Sequence, residues 1–202
     1  MKKIIAMILV LTMALSLAAC GGSDKPYTSG LTLGNVYNHS YFGFKCVLPE
    51  GWSFYTDEQI AQLQGYTQDM MGQDYADIIE KSGSAMEMFA AEDSTGGLYT
   101  LNVVVEKLPS AALSEEKYVE SCLDKTKAAL ESAGFQIDVC KAATVQFAGK
   151  THAAIEIQGS YMGVDLYETL VVVKEGKYLA CVTAGSYMEN YTSDILGFFA
   201  AA

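Results

Sequence analysis

The chain has no arginine. Its 202 residues include 13 basic side chains, all lysine, against 24 acidic ones, for a formal net charge of −11. Arginine supplies the planar fork that grips phosphate and carboxylate with two parallel hydrogen bonds. Phosphate contacts dominate nucleic-acid affinity, so an acidic chain without that fork argues against a nucleic-acid partner. Histidine is scarce too: His39 and His152 are the only two. Neither stands in a Cys-x-x-Cys, His-x-x-x-His or His-Glu-x-x-His pattern, so both read as surface histidines, and no metal or cofactor is expected. The chain lacks a Gly-x-Ser-x-Gly elbow, a Ser-x-x-Lys set and a phosphate loop. In Gly159-Ser160-Tyr161-Met162-Gly163 the serine holds the wrong place. No catalytic residue is therefore assigned.

Long apolar runs are also absent, except at the start. Lys2 and Lys3 precede an almost unbroken apolar stretch from Ile4 to Leu17. That length suits the core of a signal peptide and is short of the roughly 20 residues a spanning helix needs. Leu17-Ala18-Ala19-Cys20 matches the bacterial lipobox. The match implies cleavage after residue 19, with a diacylglyceryl group on the Cys20 thiol as the lipid attachment. Two acyl chains hold a protein stably where one holds it marginally. The expected location is the outer leaflet of the bacterial cytoplasmic membrane, with the domain facing the cell exterior. The mature chain has 183 residues, 11 lysines and 24 acids, hence a net charge of −13. That charge reads mainly as a solvated face that keeps the domain soluble.

Residues 20–34 are rich in Gly, Ser and Thr, contain Pro26, and read as the lipidated Cys and a flexible tether of roughly 20 Å end to end. A single domain is expected over 35–202, long enough to bury a core without disulfide staples. Tyr41 to Leu48 alternates, placing Phe42, Phe44, Cys46 and Leu48 on one strand face. Thr56-Asp57-Glu58-Gln59 is a capping box, opening a helix to about Leu63. A second helical stretch carries Met71, Tyr75, Ile78 and Ile79 and ends near Gly83. Strands follow over 85–92 and 98–107. Ser114 caps a strong helix that stops at Gly134. Four more strands, over 135–147, 151–161, 164–174 and 178–184, are joined by turns short enough for hairpins. A final helical face carries Met188, Tyr191, Ile195, Phe198 and Phe199. The order β, α, β-β, α, β-β-β-β, α predicts an α+β fold, a mainly antiparallel sheet with helices packed on both faces.

Tyr37-Asn38, Tyr41-Phe42-Gly43-Phe44 and Leu48-Pro49-Glu50-Gly51-Trp52 resemble the opening of PsbP-like domains, a family that includes small lipoproteins of Gram-positive bacteria. The resemblance spans about 37–60 in motif and about 35–200 in element order. It implies a PsbP-like α/β/α sandwich, and docking to another protein rather than catalysis. No binding residue carries over from the family.

The remaining candidates are few. Trp52 reads either as a plug at one end of the core or, with Tyr66 and Tyr75, as a recognition surface. Asp69, Asp74, Asp77 and Glu80 read as a solvated acidic face rather than a cation site. Cys46, Cys122, Cys140 and Cys181 allow three disulfide connectivities but show no catalytic pairing. Together these readings favour a membrane-anchored, non-enzymatic binding or accessory module for an envelope protein, peptide or glycan. The alternatives are a solute-binding lipoprotein of a transporter, or an enzyme whose site would join a histidine to Cys or carboxylates in one cleft. The lipobox makes a direct prediction. Cys20→Ser should move the protein from the membrane pellet to the medium, and globomycin should leave the precursor uncleaved, as read by fractionation and immunoblotting.

Overall fold

The computed structural model describes residues 26–65, 74–95 and 97–202. The signal peptide, Cys20 and Tyr66 lie outside the described residues, as do Asp69 and Met71. Eleven strands and four helices are described. The strands are β1 (Leu31–Leu33), β2 (Val36–His39), β3 (Phe44–Val47), β4 (Trp52–Phe54), β5 (Ser84–Glu92), β6 (Tyr99–Lys107), β7 (Gln136–Phe147), β8 (Lys150–Tyr161), β9 (Val164–Glu175), β10 (Tyr178–Tyr187) and β11 (Phe199–Ala201). The helices are α1 (Asp57–Gln64), α2 (Tyr75–Ser82), α3 (Glu115–Ser132) and α4 (Thr192–Leu196).

The strands form two antiparallel sheets. The larger has the order β4-β5-β6-β10-β9-β8-β7, and the smaller β1-β2-β3-β11. The crossover explains the larger order. After β6, α3 carries the chain to the far edge, where β7 begins a meander of hairpins that returns until β10 pairs with β6. The fold is thus α+β and mainly antiparallel.

Two apolar layers flank the large sheet, and strand alternation sorts side chains between them. On one face Met86, Phe89, Val104, Leu179 and Cys181 pack with Ile60 of α1 and with Tyr118, Val119 and Cys122 of α3. On the other, Ala85, Met88, Val103, Val105 and Val182 meet Phe44 and Cys46 of the small sheet, Ile78 and Ile79 of α2, and Ile195 and Leu196 of α4. Phe44 is fully buried, with Phe147 and Phe199 edge-on to its ring at 5.5 and 5.6 Å. Central strands covered on both faces read as continuous apolar runs, which β5 and β6 do.

The long elements match the sequence expectations closely. The Thr56–Gln59 capping box makes both of its reciprocal bonds. Three differences concern short strands. Residues 27–33, in the stretch expected as tether, are ordered: β1 pairs with β2, and Tyr27 packs on the domain. Trp52 to Phe54 adds an edge strand to the large sheet. The last helix is only Thr192–Leu196, because Gly197 ends it and Phe199 then pairs with Cys46 in β11. Phe198 and Phe199 therefore do not share a helical face with Ile195.

The β8–β9 hairpin turns through Met162 and Gly163, both with left-handed φ, 51° and 81°. This twist suits the flanking strands, but a side chain at positive φ is strained. Met162 is 84% exposed and loses no packing if replaced. Met162→Asn should therefore raise stability by about 1 kcal/mol, read as a higher urea midpoint with unchanged slope.

Candidate functional site

The large sheet carries a carboxylate where its apolar pattern should continue. β5 has a bulge between Met86 and Met88, so Glu87 and Met88 turn to the same face. Glu87 is 4% exposed. Burial of a charge requires partners, and Glu87 has four. Tyr27 donates its hydroxyl to Oε1. The Gly30 amide donates to Oε2 at 2.8 Å and the Tyr37 hydroxyl at 3.2 Å. His39 Nε2 lies 3.2 Å from the same oxygen. His39 is fully buried, a correction to its reading as a surface histidine. Its Nδ1 has no partner among the described residues. Gly30 has to be glycine, because a Cβ there would run into the Tyr37 ring.

His152 is also tied down rather than free at the surface. Its Nδ1 is 3.0 Å from Oε1 of Glu115, the first residue of α3. Glu115 also accepts from the backbone amides of Lys174, at 2.9 Å, and Ala153, at 3.3 Å. Burial opposes ionisation of this carboxyl, but His152 and the amides outweigh it and hold the group below its usual range. The contact pins the start of α3 to β8 and β9.

A third polar cluster lies under α3. Tyr118 donates to Glu106 Oε2 at 2.8 Å, and Cys181 Sγ is 3.7 Å from the same hydroxyl. Burial pushes the Glu106 carboxyl up to about 7, against the pull of the Tyr118 hydrogen bond. Cys46, Cys122, Cys140 and Cys181 are free thiols. Burial pushes the Cys46 thiol up to about 12, so it is not poised as a thiolate. No group of three or more His, Cys, Asp or Glu among the described residues is placed to hold a metal.

A groove among the described residues lies elsewhere. It has a volume of about 510 Å³ and runs between the β7–β8 hairpin and α4. Gln146, Gln158 and Asn190 bring amides to it, and Thr169, Thr192 and Ser193 bring hydroxyls. Leu196 and Phe199 supply apolar surface, and Glu156 a carboxylate that pairs with Lys141 at 3.0 Å. Thr169 donates to Thr192 at 3.0 Å and Thr192 to Asn190 Oδ1 at 2.8 Å, which preorganises one wall. Such a lining offers hydrogen bonds in both directions beside two carboxylates, Glu156 and Glu168, the second pushed up to about 7 by burial, and neither histidine borders it. A smaller groove of about 400 Å³ opens beside Glu87, Asp57 and Glu58.

Of the expected recognition residues, the two that are described, Trp52 and Tyr75, are separately engaged. Trp52 meets Phe198 edge-on at 5.2 Å, as a plug at the end of the core would. The Tyr75 hydroxyl donates to Asp57 at 2.8 Å and so joins α2 to α1. The acidic face disperses into separate roles. Asp74 caps α2 and accepts from Ser29, while Glu80 binds Lys107 and Tyr178. Sequence reasoning passed over Glu87, although an acid inside Ala85-Met86-Glu87-Met88-Phe89 breaks an apolar strand and was the available signal.

No family model matches this chain. No curated protein matches it either. Among solved structures, the extracellular domain of PknH from Mycobacterium tuberculosis is similar at 11% identity, with a TM-score of 0.29, over 71% of this chain and 89% of that one. A likeness that loose carries no argument about function.

The Glu106 environment sets a pH dependence. Its folded pKa of about 7 lies above the ordinary 4.5. Between those values the native state keeps a proton that the unfolded chain has released, so stability falls as pH rises from about 4.5 to about 7. Glu106→Gln keeps an acceptor for Tyr118 and should remove up to roughly 1 kcal/mol per pH unit of that slope. Urea midpoints at several pH values across this window check it. Half-buried Glu168, also pushed up to about 7 by burial, leaves a second share in place.

Proposed function

We propose that this chain is a lipid-anchored extracytoplasmic module that binds a peptide or glycan of the cell envelope and performs no chemistry on it. The groove between the β7–β8 hairpin and α4 carries the reading. Its amides and hydroxyls match the neutral, hydrogen-bonding surface of such ligands, and its volume of about 510 Å³ falls within the range of small-ligand sites. The lipobox at Leu17-Ala18-Ala19-Cys20 supports the location. A large sheet continuous from β4 to β7 favours one body over two lobes hinged around a solute. The PsbP-like reading, with helices on both faces, rests on the 37–60 motif. It is supported by α1 and α3 joining one apolar layer while α2 and α4 join the other.

Purified peptidoglycan is the probe that offers both chemistries. The detergent-solubilised lipoprotein should co-sediment with sacculi and release no soluble fragments from them. Replacing Gln158 and Asn190 by Ala should weaken that retention by about thirtyfold, since two hydrogen bonds of about 1 kcal/mol each are lost. Undiminished retention of the double variant, or fragments released from the sacculi, rejects the reading.

A further inference from the structure

The small sheet has one face in the core and one in the open. Tyr37, His39, Phe44, Cys46 and Phe199 point inward. Alternation then sends Leu31, Leu33, Val36, Lys45 and Val47 outward. Register aligns an apolar row across three strands, because Leu33 pairs with Val36 and Val36 with Val47. Leu31 is 70% exposed, Leu33 79% and Val47 43%. The other outward strand positions are Asn38 and Ala200, which pair with opposite sides of the sheet at Leu31 and Lys45. None of these positions carries a carboxylate, in a chain with 24 acidic residues, and the one charge is a lysine.

The chain path says what this face meets. Tyr27 is stacked on Tyr178 with ring centroids 4.4 Å apart and is bound to Glu87, so the domain has already begun at that residue. Only residues 21–26 separate it from Cys20. Even fully extended, that connection reaches about 25 Å. Leu31 follows Tyr27 by four residues. A lipidated Cys20 would therefore hold this sheet beside the bilayer while the acidic bulk of the domain is repelled by anionic headgroups.

We propose that the outward face of the β1-β2-β3-β11 sheet rests on the membrane, with Leu31, Leu33 and Val47 reaching the boundary between headgroups and acyl chains and Lys45 among the headgroup phosphates. This proposal rests on the lipid-anchor reading of Cys20, and it adds an orientation: the domain lies on the surface by one face rather than tumbling at the end of its tether.

The test uses the full lipidated protein in vesicles of phosphatidylglycerol and phosphatidylethanolamine in equal parts. Trp52→Phe removes the native tryptophan, and Leu33→Trp places a single reporter on the face. Met162→Trp in the same background is the control, in the β8–β9 turn of the large sheet. The Leu33→Trp reporter should emit further to the blue in vesicles. Lipids brominated on their acyl chains should quench it several-fold more than the control. Equal quenching of both reporters by aqueous iodide, in vesicles and in the unlipidated Cys20→Ser form, overturns the proposal. A blue shift that brominated lipids leave unquenched and that grows with protein density means a second copy covers the face, and also overturns it. Flotation separates the two readings. If the Cys20→Ser form floats with vesicles as well as the parent, the anchor reading fails. If only the parent floats and its reporter stays exposed to iodide, the resting face alone fails.

Discussion

Glu87 is a carboxylate placed at a bulge on the inner face of the large sheet, where water does not reach it. An uncompensated charge there would cost several kcal/mol. The chain meets that demand by bringing in groups from two places: Tyr27 and Gly30 from the N-terminal arm, and Tyr37 and His39 from β2. The same contacts fix where the arm enters the domain and how the small sheet lies over the large one. The aromatic shell of Tyr27, Tyr37, Phe42 and Phe44 around His39 follows from that seat. Gly30 can approach the Tyr37 ring only because it lacks a side chain.

The rest of the fold is built on strands buried on both faces. β5, β6 and β10 have apolar side chains to offer to two layers, so the sheet is covered twice: by α1 and α3 on one side, and by the small sheet with α2 and α4 on the other. Several of the polar groups left inside are paired with one another. Glu106 has Tyr118, Glu115 has His152 and two amides, and Thr169 has Thr192. Each such pair joins elements distant in sequence, and each uses a group that could otherwise have served chemistry at a surface.

This division of labour shapes the functional reading. The histidines and most of the thiols are tied to partners within the fold, while the open groove beside α4 is lined by amides, hydroxyls and the carboxylates of Glu156 and Glu168. The groove is built from β7, β8, β9 and α4, and the exposed apolar row from β1, β2 and β3. The proposed ligand contact and the proposed membrane contact would therefore call on different elements.

Much of this was legible from local pattern. The strands from β5 to β10, the capping box of α1 and the Ser114 cap of α3 are written in alternation, helical spacing and caps, all of which act within a few residues. The candidate site was less so. His39 was misread because its partner Glu87 is far away in the chain. The short strands β1, β2, β4 and β11 are of three or four residues, too few to show a period, and β11 exists only because Phe199 meets Cys46. The sequence by itself determined the long elements, through interactions between near neighbours. Tertiary structure alone decided the split into two sheets, the burial of Glu87 with His39, and the groove beside α4, because each depends on residues that only folding brings together.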